Sequence, residues 1–423
     1  MYVNPGMYYV DVWVPVVTGG LVTEYVDPLR GRCILYCCNT ASCLSNTGQR
    51  VEPKSWPANR FAEDPASIPD DDSYDTNYDA STARSRSSED GSDIYHMYNL
   101  DDKPNAKPDA VPPARIVAKR YIPTAKQDQN DQGVTLLMLP GMGLPKERRG
   151  CSVAEIWTVD MPMGGETALQ NDIGYLYGNE KDITRDVLMF ITGYLPLQAG
   201  QELPESLPFR RPQTARPQPV RPNLHVVAHS LGAQAAMLCA AHAPDLFASL
   251  TVMDPAMIPG GKIRDAYTKL PKDVFCTGLK PTYQNKEEVR SELKKNRRTR
   301  GWDDRVVEIF ERKGVVDDGQ GKLKLAAHPR LEWALYYDKE TPTHCYDRLT
   351  DISTPFNAIM PSKPFAVPPK VFKADVAKIG TKPQITWVPD TTHQLPFERV
   401  DECARLVADW IASQAGAGSK ARL

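Results

Sequence analysis

The sequence has no uninterrupted apolar run of about 18 residues, the length a membrane-spanning helix needs. Its longest apolar-rich stretch, Tyr8 to Val22, is broken by Asp11 and Pro15. No membrane span is therefore expected. The first residues also lack a basic region followed by an apolar stretch and a small-residue cleavage site, so no secretory signal is expected. Charge of one sign is absent as well. Lys and Arg number 51 and Asp and Glu 53, a formal net charge of −2. That balance argues against binding dominated by a phosphate backbone, and no nucleic-acid partner is expected. The nine cysteines are odd in number and scattered, which fits a reducing compartment better than a disulfide framework. Cys33, Cys37, Cys38 and Cys43 do cluster, but their spacing is untidy and no His precedes His96. No metal site and no cofactor are expected.

Proline, in contrast, is abundant at 37 residues, and its placement helps to divide the chain. Residues 63–102 hold twelve acids against two bases, Arg84 and Arg86. Such a stretch buries too little apolar surface to offset its ordering entropy and reads as disordered. Residues 203–222 hold six prolines and four arginines and read as an extended, solvated insertion. Residues 415–423 are small and polar and read as a flexible tail. The expected organisation is then N-terminal strands in 1–29 and a low-complexity insertion in 30–113. A first core segment spans 114–262, with the Pro-rich insertion at 203–222. A helical cap follows in 263–346, then a second core segment in 347–414, then the tail.

Strand and helix signals alternate through the core. Strands are expected over 114–121, 134–139, 155–159, 224–228, 247–253, 356–360 and 384–388. An Ala-rich helix is expected over 231–241. Val400, Leu406, Val407, Trp410 and Ile411 mark one face of a last helix at helical spacing. Apolar strands alternating with helices imply a mostly parallel sheet covered on both faces, an α/β fold. Residues 265–337 break that rhythm. They are charged, with Val306, Val307, Ile309 and Phe310 as one amphipathic turn, which marks the inserted cap.

The chemistry concentrates at Ala228-His229-Ser230-Leu231-Gly232, which closes an apolar strand and opens a helix. That is the context of a nucleophile elbow, with small residues two before and two after the Ser so that strand and helix approach closely. The alternative reading is a Ser at a helix N-cap in a non-hydrolytic fold. A serine hydroxyl needs a base, and imidazole is the usual one. Of the seven histidines, His393 lies in the polar loop after the last strand and before the last helix, where an α/β-hydrolase fold brings the base to the nucleophile. His229 adjoins the Ser but would project away from it on a sharp turn. The third member orients the imidazole. The turn after the penultimate strand, Pro361-Ser362-Lys363-Pro364-Phe365, has no carboxylate, whereas Asp254 closes the preceding strand. The assignment is Ser230 as nucleophile, Asp254 as acid and His393 as base. The oxyanion donors expected are the backbone N–H groups of Leu231, after the nucleophile, and of Met142, in the Gly-rich loop after the strand 134–139.

At Gly141-Met142-Gly143-Leu144-Pro145-Lys146-Glu147, with Ile156-Trp157-Thr158-Val159-Asp160 and the elbow, the chain resembles a fungal peroxisomal α/β-hydrolase family. That family includes lipase-like proteins, toxin-biosynthesis hydrolases and the acyl-CoA hydrolase of mycophenolic acid synthesis. The resemblance covers residues 114–413, with a weaker match near 10–26. It implies that Ser230, Asp254 and His393, the last within His393-Gln394-Leu395-Pro396-Phe397, are the catalytic residues, and it too places the acid after the earlier strand. Family members carry a helix between the Leu-Pro-Lys-Glu motif and the Ile-Trp strand. Here only residues 148–154 separate them, short for a crossover helix. The last tripeptide, Ala421-Arg422-Leu423, is a variant of the Ser-Lys-Leu peroxisomal address, read by an import receptor. A peroxisomal matrix location fits both the tripeptide and the family.

The function expected is hydrolysis of an acyl ester or acyl-CoA thioester through an acyl-enzyme. A nucleophilic Ser argues against epoxide hydrolysis, which uses Asp at the elbow. Two alternatives are a lipase acting on neutral lipids and an inactive binding protein on the same fold. The basic run Lys294 to Arg300 has two readings, a contact for CoA phosphates and a solvated helix face, and the second is favoured since Glu287, Glu288 and Glu292 are close by.

Overall fold

In the computed structural model the described residues are 7–15, 23–26, 33–36, 115–123, 133–140, 153–161, 167, 180–200, 203–204, 207–210, 221–259, 263, 279–327 and 341–420. The early strands are β1 (Met7–Pro15), β2 (Thr23–Val26), β3 (Cys33–Tyr36) and β4 (Arg115–Pro123). The core continues with β5 (Val134–Leu139), β6 (Val153–Val159), α1 (Glu180–Met189), β7 (Leu224–His229), α2 (Ser230–His242) and β8 (Ser249–Met253). Helix α1 runs on into one π-helical turn, Phe190–Tyr194. The cap contributes β9 (Thr282–Tyr283), α3 (Lys286–Lys295), α4 (Asp304–Ile309), β10 (Val315–Asp317) and β11 (Leu323–Leu325). After α5 (Thr341–Asp347) come β12 (Phe356–Pro361), α6 (Pro369–Val376), β13 (Gln384–Val388), α7 (Leu395–Glu398) and α8 (Val400–Lys420).

One eight-stranded sheet organises the core in the order β1-β4-β6-β5-β7-β8-β12-β13. The pairs β1–β4 and β4–β6 are antiparallel, and every pair from β6 to β13 is parallel. The strands alternate sides with period two, as a pleated sheet requires. Val226, Ala228, Leu250, Val252, Ala358 and Met360 join the layer that holds α1, α2 and α6. Val227, Met253 and Ile359 face the opposite layer with Leu406, Val407, Trp410 and Ile411 of α8. Both faces are thus covered, which is why the strands read as apolar runs rather than as alternating ones. Helix α2 is buried along ten consecutive residues, Gly232 to Ala241, and its alanines let it lie close to the sheet.

β5 and β6 are parallel neighbours, and the link between them, short in sequence, lies outside the described residues apart from Pro140. Most of the Gly-rich loop, Met142 included, and the tripeptide Ala421-Arg422-Leu423 also lie outside them. So do all of 37–114 and most of 203–222. The two ends of the latter segment are tied down: Arg210 donates to the carbonyls of Ile191 and Thr192, and Arg221 is buried. The last helix continues to Lys420, past the boundary expected at 414 for a flexible tail. Among the described residues, no helix is long and apolar enough to cross a membrane.

The cap is not purely helical. β10, β11 and β9 form a small antiparallel sheet that packs with α3 and α4 around Tyr283, Val289, Leu293, Trp302 and Val307. Phe397 and Val400 belong to the same cluster. The cap core is therefore continuous with the segment that follows His393.

Candidate active site

The parallel strands deliver their C-terminal ends to one edge of the sheet, and the candidate residues gather there. Ser230 follows β7 directly and opens α2, with φ at +53°. A left-handed backbone is costly for any residue with a Cβ, of order 1–3 kcal/mol. It is what turns the chain sharply enough to hold the hydroxyl above the sheet. Asp254 follows β8 with φ +37°, and Asp390, in the loop before His393, has φ +53°. Asp tolerates this region better than most residues because its short side chain can bond locally. Among the described residues, three of the five non-glycine residues with positive φ thus sit in these loops. Backbone strain is concentrated where side chains must be aimed.

Ser230, His393 and Asp254 form one hydrogen-bonded chain. His393 Nε2 lies 2.9 Å from Ser230 Oγ. His393 Nδ1 lies 2.7 Å from Asp254 Oδ2. A carboxylate only accepts, so Nδ1 carries the proton and Nε2 presents its lone pair to the serine hydroxyl. Asp254 is buried at 2% exposure, and its Oδ2 also accepts from the backbone N–H of Phe365 at 2.9 Å. The turn without a carboxylate, 361–365, therefore supplies a donor to the carboxylate of the neighbouring strand. The ring of Phe365 stands 4.8 Å from that of His393, centroid to centroid.

The histidine loop is laced to its surroundings. Ser362 Oγ donates to the carbonyl of Thr391, and Thr391 N–H donates back to Ser362 Oγ. Thr392 donates twice to Glu398, through N–H and through Oγ. From below, His229 Nε2 lies 2.8 Å from the carbonyl oxygen of His393. The His229 ring bonds to the His393 main chain and not to Ser230, in line with the sharp turn, and no local sequence signal marks that bond. His225, the other histidine of β7, pairs with Ser249 Oγ at 2.8 Å inside the sheet. Burial pushes its pKa down to about 4.

The chemistry available is that of an activated hydroxyl. Leu231 N–H lies in the first turn of α2, and His229 at the N-cap makes no side-chain cap bond there. First-turn amides have no intrahelical partner and can donate to an oxyanion. Gly232 packs against the end of β5: a Cβ there would stand 2.4 Å from the carbonyl oxygen of Leu139. Among the described residues, no group of three or more His, Cys, Asp or Glu side chains could hold a metal ion.

Comparison with known proteins agrees with this geometry at the level of fold. The model of the "Alpha/beta hydrolase family" matches residues 136–406. The chain is similar to the peroxisomal alpha-beta-hydrolase Lpx1 from Saccharomyces cerevisiae, with 14% identity, a TM-score of 0.55, and 72% of this chain and 83% of that chain covered. A thioesterase domain from the curacin biosynthetic pathway aligns with 12% identity and a TM-score of 0.47, covering 69% of this chain and 95% of that one. A thermophilic esterase from Thermogutta terrifontis aligns with 14% identity and a TM-score of 0.40, covering 71% and 94%. No curated protein sequence matches the chain.

Proposed function

This chain belongs to the alpha/beta hydrolase family, and from that premise we propose that it is a serine hydrolase cleaving an acyl ester or an acyl-CoA thioester. The observation that carries the reading is the hydrogen-bonded chain from Ser230 through His393 to Asp254. In the proposed reaction His393 Nε2 takes the hydroxyl proton as Ser230 Oγ attacks the acyl carbon. The imidazolium so formed faces the Asp254 carboxylate, which stabilises it and holds its tautomer. The carbonyl oxygen becomes an oxyanion, received by Leu231 N–H and, in the Gly-rich loop, by Met142 N–H. The tetrahedral intermediate collapses, the bond to the alcohol or thiol breaks, and His393 returns its proton to that leaving group. Water then attacks the acyl-enzyme with His393 again as base, releasing the acid and restoring Ser230.

Lipid hydrolysis at an interface is the less supported reading. Among the described residues the exposed large hydrophobic side chain is Phe209, which is not in the cap. The cap presents Lys294, Lys295 and Arg300 to solvent instead. The tripeptide Ala421-Arg422-Leu423 supports a peroxisomal matrix address read by an import receptor. A role in peroxisomal lipid or toxin-like secondary metabolism is part of the same proposal, and it rests on the resemblance of the Gly141–Glu147 motif.

The test is covalent labelling. Purified protein and its Ser230→Ala variant are treated with a fluorophosphonate, and intact masses are recorded. One adduct on the parent and none on the variant is the expected result, and it opens the way to a panel of esters and acyl-CoA thioesters. Folded parent protein that takes up no adduct would overturn the hydrolase reading in favour of a binding protein on the same fold.

A further inference from the structure

We propose that His229 is a positioning residue for His393: its imidazole N–H holds the main-chain carbonyl of His393 and so fixes the ring over Ser230. This inference rests on the reading of Ser230 as nucleophile and His393 as base.

The geometry begins with the pleat. His229 is the last residue of β7 and keeps an extended backbone, φ −123° and ψ 142°. It therefore shares a face with Val227, the face covered by α8, while the turn at Ser230 sends the next side chain to the sheet edge. On that face His229 is buried at 2% exposure. Its Nε2 lies 2.8 Å from the carbonyl oxygen of His393, which can only accept. The proton must sit on Nε2, and Nδ1 is left buried and, among the described residues, without a hydrogen-bond partner.

A bare buried lone pair is unfavourable, and an aliphatic side chain in the same volume would avoid it. What the imidazole contributes in exchange is the single bond to His393. The ring also fills the floor of the loop. Its centroid is 4.8 Å from that of His393 and 5.9 Å from that of Phe397, with Phe397 edge-on. Phe397 in turn stacks on Trp302 of the cap at 5.1 Å. The chain from His393 to Phe397 is thus clamped between the end of β7 and the cap.

The clamp is neutral, which suits a neighbour that must accept a proton. Burial, followed by the proximity of His393, holds the pKa of His229 down at about 3. The proton released by Ser230 goes to His393 and not to the ring beneath it.

The test compares two substitutions. His229→Phe keeps a ring and removes the donor, and His229→Gln keeps a donor of similar reach. With p-nitrophenyl butyrate as probe, His229→Phe is expected to lower kcat by about a hundredfold with little change in KM, the size of effect that a misplacement of about 1 Å produces. His229→Gln should recover to within about tenfold of the parent. Fluorophosphonate labelling rates should follow the same order. A Phe variant with parental kcat, or a Gln variant as poor as Phe, would overturn the proposal. If the Phe variant does not fold, nitrogen-15 spectra of the parent decide. The expected signature is a neutral Nε2–H tautomer at His229 that does not titrate down to about pH 5. An Nδ1–H tautomer, or titration near the ordinary histidine value, would overturn it. A parent that neither turns over nor labels would instead defeat the hydrolase reading, and the tautomer would still report on the clamp.

Discussion

Gly232 of α2 and Leu139 at the end of β5 approach so closely that a side chain on the first would collide with the backbone of the second. The position of an added Cβ is 2.4 Å from the Leu139 carbonyl oxygen and 2.8 Å from its carbon. Backbone cannot swing aside as the tip of a side chain can. The helix that carries Leu231 N–H is thus seated directly on the end of β5, and that approach fixes where this expected oxyanion donor stands.

Gly232→Ala should therefore push α2 away from β5. An alanine is ordinarily about 1 kcal/mol better than glycine inside a helix. Here the overpacking should outweigh that gain and leave the variant about 1–3 kcal/mol less stable. Urea denaturation measures the first effect. A kcat lowered by about tenfold or more, at temperatures where the variant is folded, would register the displaced Leu231 donor. Unchanged stability would show that helix and strand separate freely.

Ser230 offers a test of backbone strain separate from chemistry. Its φ of +53° disfavours every residue that has a Cβ. Ser230→Ala and Ser230→Gly both remove the hydroxyl, but only glycine relieves the turn. The glycine variant should be more stable than the alanine variant by about 1 kcal/mol in urea denaturation. Equal midpoints would mean that the elbow holds no strain.

Much of this site was legible because its signals are local. The apolar run 224–228, the small residues Ala228 and Gly232, and a polar loop before the last helix each carry their meaning within a few residues. β5 and β13 begin and end where the apolar runs do. The parts that were not legible depend on distant partners. Composition makes 203–222 a solvated insertion, yet Arg221 is buried because Glu155 lies 66 positions away in the chain and beside it in space. The N–H of Phe365 reaches Asp254 across 111 positions, and no residue type announces a backbone donor. The cap sheet is hard to read from sequence for another reason. Its strands are two or three residues long, too short for an alternation to register. Asp318-Gly319 between β10 and β11 is a hairpin signal that could have found it, and Gly319 does adopt a positive φ of 81°.

Stability should fall in mild acid through the two histidines of β7. In the unfolded chain each titrates near 6.5, whereas in the fold burial lowers His225 to about 4 and His229 to about 3. Between those values the unfolded chain binds more protons than the folded one, so stability is complete above about pH 6.5 and is lost as the pH falls toward 4 and below. At about pH 5 each group should have removed about 2 kcal/mol relative to about pH 8. Unfolding free energies for the parent and for His225→Gln at the two pH values test this. The variant should lose about 2 kcal/mol less than the parent on acidification. Equal losses would mean that His225 is not held neutral.

At the far end of the strands from Ser230, Glu155 is a buried charge at 0% exposure. Arg221 Nη2 lies 2.5 Å from its Oε1, and Arg120 Nη1 lies 3.7 Å from its Oε2. Trp157 Nε1–H and the N–H of Gly200 also donate to it. Arg221 is further held by the carbonyl of Pro196 and the hydroxyl of Thr135. The carboxylate thus ties β4, β5, β6 and the approach to β7 into one network, with two guanidinium groups facing one negative charge. Glu155→Gln keeps the shape and removes the charge that both arginines need. A broken buried ion pair leaves an uncompensated charge, and the loss should be about 3–5 kcal/mol. Arg221→Met alone should cost less, because Glu155 keeps Arg120 as its counter-charge and Trp157 and Gly200 as donors. The double variant Glu155→Gln, Arg221→Met should lose less than the sum, because the second change removes a charge that the first has stranded. Urea denaturation of the four proteins measures that coupling. The fluorophosphonate labelling rate of folded Glu155→Gln should stay within about threefold of the parent, since the sites are too far apart to share partners. A labelling rate that fell in step with stability would instead mean that this network reaches the elbow through β7.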